Sequence, residues 1–569
     1  MRKITVLLAV AALAMAGSID PNLAVVMAGA TDTDLIPVFI LARGQVDNDW
    51  VNSATDGMNR DDRQQFAVSA MKDIADVAQG GIIAELSTFN SDNVTNVIPL
   101  WLANAVYCEA TVSVINSMAS RTDVVLIERG AGDGPGLIEP VDARESTPEE
   151  LDKGLAWGVE KINADDAWAL GYEGQGVIVG VIDTGVDYNH SDLGNNMWHD
   201  TPAGYHYGWD FYDNDDDPMD DYGHGTHCAG SVAGDGSAGT ETGVAPSATI
   251  MALRINYYTG GYPTWIQGME FATTNGAAVL SMSLGTTPVG NTTLRTAEEN
   301  LLTAGVFHSV AAANAGPGSG TIYASGDCPP PWFHPDQAHH GGQSAVVTVG
   351  ATDSGDNIAN FSSRGPVTWW SDYTGSTPLI DPDISGPGVN VVSTQWTGGY
   401  TTMSGTSMAT PHLAGVAALI LSANPALTVA QMDSIIEMTS LDLGVSGKDN
   451  TFGAGRVDAY QAVLAALAMT STEESQGAVV PAAMGISTIS PNPVSGFASF
   501  SVYTAASGTA DISVFDVTGR RVSNIDNSEI ESGANAYNWQ IPAEMGNGVY
   551  FVRATVNGST VSTRMTVVR

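Results

Sequence analysis

VIVGVIDTGVDYNH, Val177–His190, reads as a run of β-branched residues that ends on a carboxylate, Asp183, and turns at once through Gly185. Two further segments answer it. GHGTHCAG, Gly223–Gly230, carries His224, and GTSMATPHLAG, Gly405–Gly415, carries Ser407 at the opening of an Ala-, Val- and Leu-rich helical run. A serine hydroxyl is a weak nucleophile. It needs a base within hydrogen-bond reach and a third group that holds the base in the right tautomer. Asp183, His224 and Ser407 supply those three parts in chain order Asp, His, Ser. The free N–H groups at the start of the Ser407 helix favour negative charge developing near an attacking oxygen. Gly405 is read as allowing the tight turn into that helix, and Pro411 is tolerated near its start.

Around these segments, β-branched runs at Val177–Ile182, Thr249–Ile255, Ala277–Met282 and Val306–Ala312 alternate with helical patterns. That alternation predicts an α/β domain with a parallel sheet wound by helices, over residues 156–467. Upstream, residues 31–130 hold a strand at Pro37–Ala42, a helix over Asp61–Phe89 whose apolar face is Phe66, Met71, Ile74, Val77 and Ala78, and a strand at Val97–Cys108. A helix at Thr111–Ala119 and a strand at Asp123–Ile127 complete a ferredoxin-like α+β order. Residues 131–155 turn Gly-, Pro- and acid-rich, as an exposed, cleavable linker does. After a polar linker at 468–485, residues 486–569 show alternating strands at Phe500–Tyr503, Ala510–Val517, Gly548–Val556 and Thr563–Val568, which predict a small all-β sandwich.

The chain has 569 residues, 43% of them hydrophobic, enough for several domains with a large core. Its 21 Lys+Arg against 62 Asp+Glu give a net charge of −41, which argues against nucleic acid or an anionic membrane as partner and for solubility and bound cations. Residues 1–16 read as a signal peptide: Arg2 and Lys3, an apolar run from Ile4, and the A-x-A site Ala14-Met15-Ala16. That run falls short of the ~20 apolar residues a membrane span needs, and no other stretch reaches that length. Cys108, Cys228 and Cys328 are too few for a disulfide scaffold and read as buried thiols.

DFYDNDDDPMDD, Asp210–Asp221, packs seven aspartates into twelve residues. Such carboxylates repel unless a cation or water separates them, and Ca²⁺ suits an all-oxygen donor set. A merely solvated acidic loop is the competing reading. His227 reads as a structural hydrogen-bonder. The cluster His334, Asp336, His339 and His340 lacks the helical spacing of a zinc site. No organic cofactor is expected.

Taken together, the three segments resemble the signatures of the subtilases, and the resemblance covers about Trp157–Ala466. It implies that Asp183, His224 and Ser407 form a catalytic triad. It also implies that Asn314, in VAAANAGP, donates to the oxyanion of the tetrahedral intermediate. Subtilases usually carry glycine just before this asparagine. Ala313 stands here, and a methyl there crowds the primary specificity pocket. Ser281–Gly285, SMSLG, resembles the strand that pairs with extended substrate, so Ser283, Leu284 and Gly285 are expected to bind polypeptide by its main chain. The acidic loop resembles that of thermitase-like subtilases, which nominates Asp210, Asp213, Asp215, Asp217 and the Met219 carbonyl as calcium ligands. The Cys228 motif is likewise similar to thermitase- and proteinase K-like members.

Trp157–Leu193 looks like bacillopeptidase F-type members, and Pro99–Glu128 is similar to their propeptides. This implies an inhibitory, chaperone-like propeptide whose tail lies in the active-site cleft until cleavage. SPNPVSG (Ser490–Gly496), VFDVTGRRV (Val514–Val522) and GVYFVRATVNG resemble the sorting domain of the type IX secretion system, which implies export through the periplasm to the surface or medium. The expected activity is that of a secreted serine endopeptidase made as a zymogen. A catalytically silent surface protein on the same scaffold, and a processing protease with one partner substrate, remain the alternatives.

Overall fold

The computed structural model describes residues 16–134, 136–151, 154–200, 204–257, 261–337, 341–369 and 378–473, then 485–486, 489, 494, 496–504, 507–516, 520–530, 533–542, 545–557 and 559–567. The proposed signal peptide lies almost wholly outside these residues, as do His339, His340 and most of SPNPVSG. The chain divides into two units, Met1–Leu467 and Ala468–Arg569.

Seven parallel strands form the main sheet, in the order Gly208–Asp210, Thr249–Arg254, Ile178–Asp183, Val279–Met282, Phe307–Ala311, Val346–Thr352 and Ile384–Pro387. Central strands such as Val279–Met282 are buried at every residue, because helices cover both faces of such a sheet. The four strands expected from β-branched runs are present. Three others, Gly208–Asp210, Val346–Thr352 and Ile384–Pro387, were not read from the sequence. The helices His224–Ala233 and Thr406–Ala423 pack on each other and on this sheet. Thr406–Ala423 is long and apolar enough to span a membrane, yet 89% of it is buried in the protein, so it is a core helix.

The N-terminal layer is a second sheet, ordered Ser18–Ile19, Val124–Arg129, Ile36–Ala42, Ala105–Ala110, Val94–Leu100, antiparallel except for its first pair. This is the expected ferredoxin-like order, with Ser18–Ile19 and the helix Pro21–Gly29 added ahead of the expected start at residue 31. Two local readings change. The apolar run Val97–Cys108 is two strands, because Asn104 takes a left-handed φ of 44° and the chain reverses there. The long helix, Arg60–Leu86, buries Gln64, Ala67, Val68, Met71, Ala75, Gln79, Ile82 and Leu86, whereas Val77 is 74% exposed. Of the expected face, only Met71 is fully buried. Two glutamines belong to the buried stripe because each amide has a backbone partner, Gln64 on Ala277 O and Gln79 on Leu100 O.

Among the described residues, the second unit contains two antiparallel sheets. Their inward residues alternate, Ala498, Phe500 and Val502 with Ala510, Ile512 and Val514 and with Val552, Ala554 and Val556, around one apolar core. The strands Arg521–Asp526 and Gly533–Gln540 add to the four expected ones.

Candidate active site

Asp183 ends its strand and His224 opens its helix. The two meet with His224 Nδ1 2.7 Å from Asp183 Oδ1, both side chains essentially inaccessible. This close approach requires Gly225. A Cβ there would lie 2.1 Å from Gly185 O and 3.1 Å from Asp183 Cβ. Asp220, a residue the sequence reading passed over, anchors the whole turn. Its carboxylate accepts from Thr184 Oγ1 and from the N–H groups of Tyr222, Gly223 and Thr226, as well as from Thr226 Oγ1. The only sequence signal for it is its position four residues before the histidine.

Burial opposes the charged imidazolium of His224, but the Asp183 carboxylate outweighs it, and the ring's pKa is held well above its ordinary value. Among the described residues, His224 Nε2 has no hydrogen-bond partner. A base nitrogen is thus left available for a proton from the cleft.

Ser407 sits in the first turn of Thr406–Ala423. Pro411 has no N–H, so the Ser407 carbonyl lacks its helical donor four residues on. Ser283 Oγ fills that place at 2.9 Å, and the Cys228 thiol lies 3.5 Å away. Gly405 has φ 166°, an extended value, so it is not there for a left-handed turn. A Cβ at that position would stand 3.1 Å from Asn314 Nδ2, so its role is room for the amide. Asn314 Oδ1 accepts from Thr406 N (2.9 Å) and Thr406 Oγ1 (3.0 Å), which fixes the amide so that Nδ2 faces the cleft. Ala313 adopts φ 91°, a strained value for a residue with a side chain.

The cleft is filled by the chain itself. Leu137 bridges Leu284 antiparallel, Gly285 N donates to Gly136 O at 2.9 Å, and Gly136 N donates to Tyr257 O at 3.0 Å. Ser407 Oγ donates to Ile138 O at 2.8 Å, and Asn314 Nδ2 to Glu139 O at 2.8 Å. Beyond them, Asp142–Glu145 pairs antiparallel with the strand Tyr400–Ser404. Ser407, Asn314, Leu284 and Gly285 therefore all meet one extended segment, Gly136–Val141. The N-terminal layer is docked on the helices Tyr262–Thr274 and Thr292–Ala304. Leu102 N donates to Glu270 at 2.8 Å, and Glu128 accepts from Thr292 N at 2.9 Å at the latter helix's N-terminus. Burial pushes the Glu270 carboxyl up to about 8.

Two of the nominated calcium ligands, Asp210 and Asp213, face an arginine. Arg254, at the end of its strand, binds Asp210, Asp213 (2.9 Å) and Asp221 (2.8 Å). Asp210 is further engaged by Tyr212 N and Asp213 N, so both its oxygens are in use. Asp215 accepts from Asp217 N, and Asp217 from Tyr188 Oη. The donors are all oxygen and retain unused lone pairs on Asp213, Asp215 and Asp217, which fits a hard divalent cation better than a transition metal. His227 is structural, its Nε2 3.1 Å from Val391 O, with burial holding the ring neutral at about 3. All three cysteines are buried and free. His334 Nδ1 accepts from Asp336 N within its own loop.

Residues 174–455 match the family described as Subtilase family, and residues 488–568 match the one described as Secretion system C-terminal sorting domain. Thermitase of Thermoactinomyces vulgaris is 36% identical over 311 residues, 54% of this chain and 95% of that protein. Subtilisin DY of Bacillus licheniformis is 36% identical over 294 residues, 51% of this chain and 93% of its own length. Subtilisin E of Bacillus subtilis is 35% identical over 300 residues, 52% and 69% respectively.

Proposed function

The chain belongs to the subtilase family and is a subtilisin-like serine endopeptidase, and from that premise we propose that Asp183, His224 and Ser407 are its catalytic triad and Asn314 its oxyanion donor. The observations that carry this reading are the buried Asp183–His224 pair, with Nε2 unpartnered, and a serine hydroxyl that donates to a peptide carbonyl, the two joined through Cys228 Sγ, which lies 3.8 Å from His224 Nδ1 and 3.5 Å from the Ser407 carbonyl oxygen. Asp183 holds Nδ1 protonated, so Nε2 accepts the Ser407 proton as Oγ attacks. Asn314 Nδ2, locked by Thr406, then stabilises the oxyanion together with the N–H groups of the helix's first turn. Ser283–Gly285 pairs with the substrate main chain, as Leu284 and Gly285 do here with Leu137 and Gly136. Recognition through backbone suits many extended polypeptides.

The same contacts support synthesis as a zymogen. Residues 31–130 act as an inhibitory propeptide, and residues 131–155 as the segment that is cut. Residues 156–467 form the peptidase domain. The C-terminal sorting domain of the type IX secretion system implies an exported or surface-held protein. Residues 1–16 serve as the signal that first delivers the chain to the periplasm. Ca²⁺ would be held by Asp213, Asp215, Asp217 and the Met219 carbonyl, with Asp210 kept in place by Arg254, and it would offset the loop's charge.

The test is mass spectrometry after exposure to a fluorophosphonate, with Ser407→Ala as control and calcium present or chelated. An adduct on Ser407, weakened by chelation, is expected. Matured, calcium-loaded protein that stayed unlabelled would sink the triad assignment. Labelling indifferent to chelation would sink the calcium assignment alone.

A further inference from the structure

Resting on the triad reading above, the geometry points to one bond, Ile138–Glu139, as the place where the chain cuts itself, and to a primary pocket built for aliphatic residues of about isoleucine's size. We propose both from the way the segment lies. The Ile138 side chain is buried, 5% exposed, in a small apolar recess with Ala311, Ala313 and Tyr323, and its Cδ1 lies 3.1 Å from where a Cβ on Gly285 would stand. The neighbouring side chain is treated differently. Glu139 is exposed, and its Oε2 accepts from Tyr222 Oη at 2.6 Å. The residue whose side chain enters the recess is the one whose carbonyl the Ser407 hydroxyl touches, at 2.8 Å. Pairing of Gly136 with Gly285 and of Leu137 with Leu284 fixes the register on one side, and pairing of Asp142–Glu145 with Tyr400–Ser404 fixes it on the other.

The cut balances as a hydrolysis. The Ser407 proton passes to His224 Nε2 while Oγ bonds to the Ile138 carbonyl carbon. The C–N bond to Glu139 then breaks as that proton goes to the Glu139 nitrogen, and water releases Ile138 as a carboxylate. In the resting arrangement Asn314 Nδ2 is on Glu139 O, one carbonyl beyond the scissile one. The cut begins when Ile138 O takes that amide. Ala313 sets the size of the recess: it is fully buried there and holds φ 91°. Replacing it by glycine removes a wall methyl and relieves the backbone together.

Purified wild-type chain, allowed to mature, would be analysed by N-terminal sequencing and intact mass, with Ser407→Ala full-length protein as the uncut reference. The new N-terminus is expected at Glu139. Ile138→Leu, which keeps the side-chain volume, should mature within about tenfold of wild type, Ile138→Val about 10–200-fold slower because one methylene in an apolar pocket is worth that much, and Ile138→Asp slower than either. On peptides, the mature enzyme should cut after Ile, Val or Leu at least about tenfold faster than after Phe, and Ala313→Gly should shrink that ratio. A first residue at Pro140 or elsewhere, with Ser407 still labelled by the fluorophosphonate, overturns this assignment and leaves the triad standing. Absence of both label and cut overturns the two together. Preference for Phe in the wild type, or a ratio unmoved in Ala313→Gly, overturns the pocket.

Discussion

Two buried ionic groupings lie in the same α/β domain, and they are built to opposite ends. Around Asp183 and His224 one ring nitrogen is left unpartnered, and the chain lays a peptide carbonyl against the Ser407 hydroxyl. Around Lys448, by contrast, the ammonium is turned inward. It donates to Asp383 and Glu437 at 2.8 Å each, with side chains 0–2% exposed, and Asp381 and Asp433 lie in the same electrostatic neighbourhood. Burial raises the carboxyls of this second group, Glu437 to about 7, and the Lys448 charge works against that rise. A charge that cannot reach a substrate contributes only to folding, whereas a buried carboxylate that orients an unpartnered ring nitrogen is suited to chemistry.

The largest way to break this contrast is Asp183→Asn. It should lower kcat by about 10⁴-fold, about 5 kcal/mol of barrier, with a thermal midpoint close to wild type, read by peptide hydrolysis and calorimetry in parallel. Next comes Lys448→Met, which leaves Asp383 and Glu437 buried without their cation. A destabilisation of about 3–5 kcal/mol in denaturant unfolding is expected, with kcat per labelled Ser407 unchanged. If Lys448→Met instead lowered kcat in folded protein, the division between the two groupings would fail.

The pH profile sharpens the first grouping. The proposed triad needs neutral His224, and Asp183 raises its pKa, so activity is expected to be lost as pH falls, with the acid limb above the ordinary ~6.5. At pH 6 less than about a quarter of the enzyme should then be competent, and Asp183→Asn should move what limb remains to lower pH. A separate pH effect is expected at the docked N-terminal layer. Glu270 titrates at about 8 when covered and near ~4.3 when free, so protons bind on docking. Inhibition by the separated N-terminal domain should be strongest below pH ~4.3 and weaken by up to about tenfold per pH unit until about 8. Glu270→Gln should flatten that slope, with Ki measured across the range as the check.

The parallel strands are legible because burial on both faces writes an apolar, largely β-branched run, as in Val177–Ile182, where Gly180 is the one exception. Val346–Thr352 and Ile384–Pro387 were not picked out, although every residue of both is buried. The helix Arg60–Leu86 misled by one face. Its buried stripe carries Gln64 and Gln79, whose partners come from elsewhere in the fold, and no periodicity of apolar residues records them. Asp210 is nominated as a calcium ligand from the resemblance of its loop alone, and nothing in that loop announces Arg254, more than forty residues away.

What the sequence determined by itself is the local chemistry: a carboxylate at a strand end, a histidine and a serine each opening a helix, a proline and glycines set around them, and the α/β alternation that brings strand ends to one edge. What only the tertiary structure decided is which of those groups stay open. Whether an aspartate faces an arginine, whether a ring nitrogen keeps its lone pair, and which of its own peptide bonds the chain lays against Ser407 depend on contacts between residues 41 to 269 positions apart. Such contacts follow from how surfaces pack and desolvate one another, and no local pattern of residues encodes them.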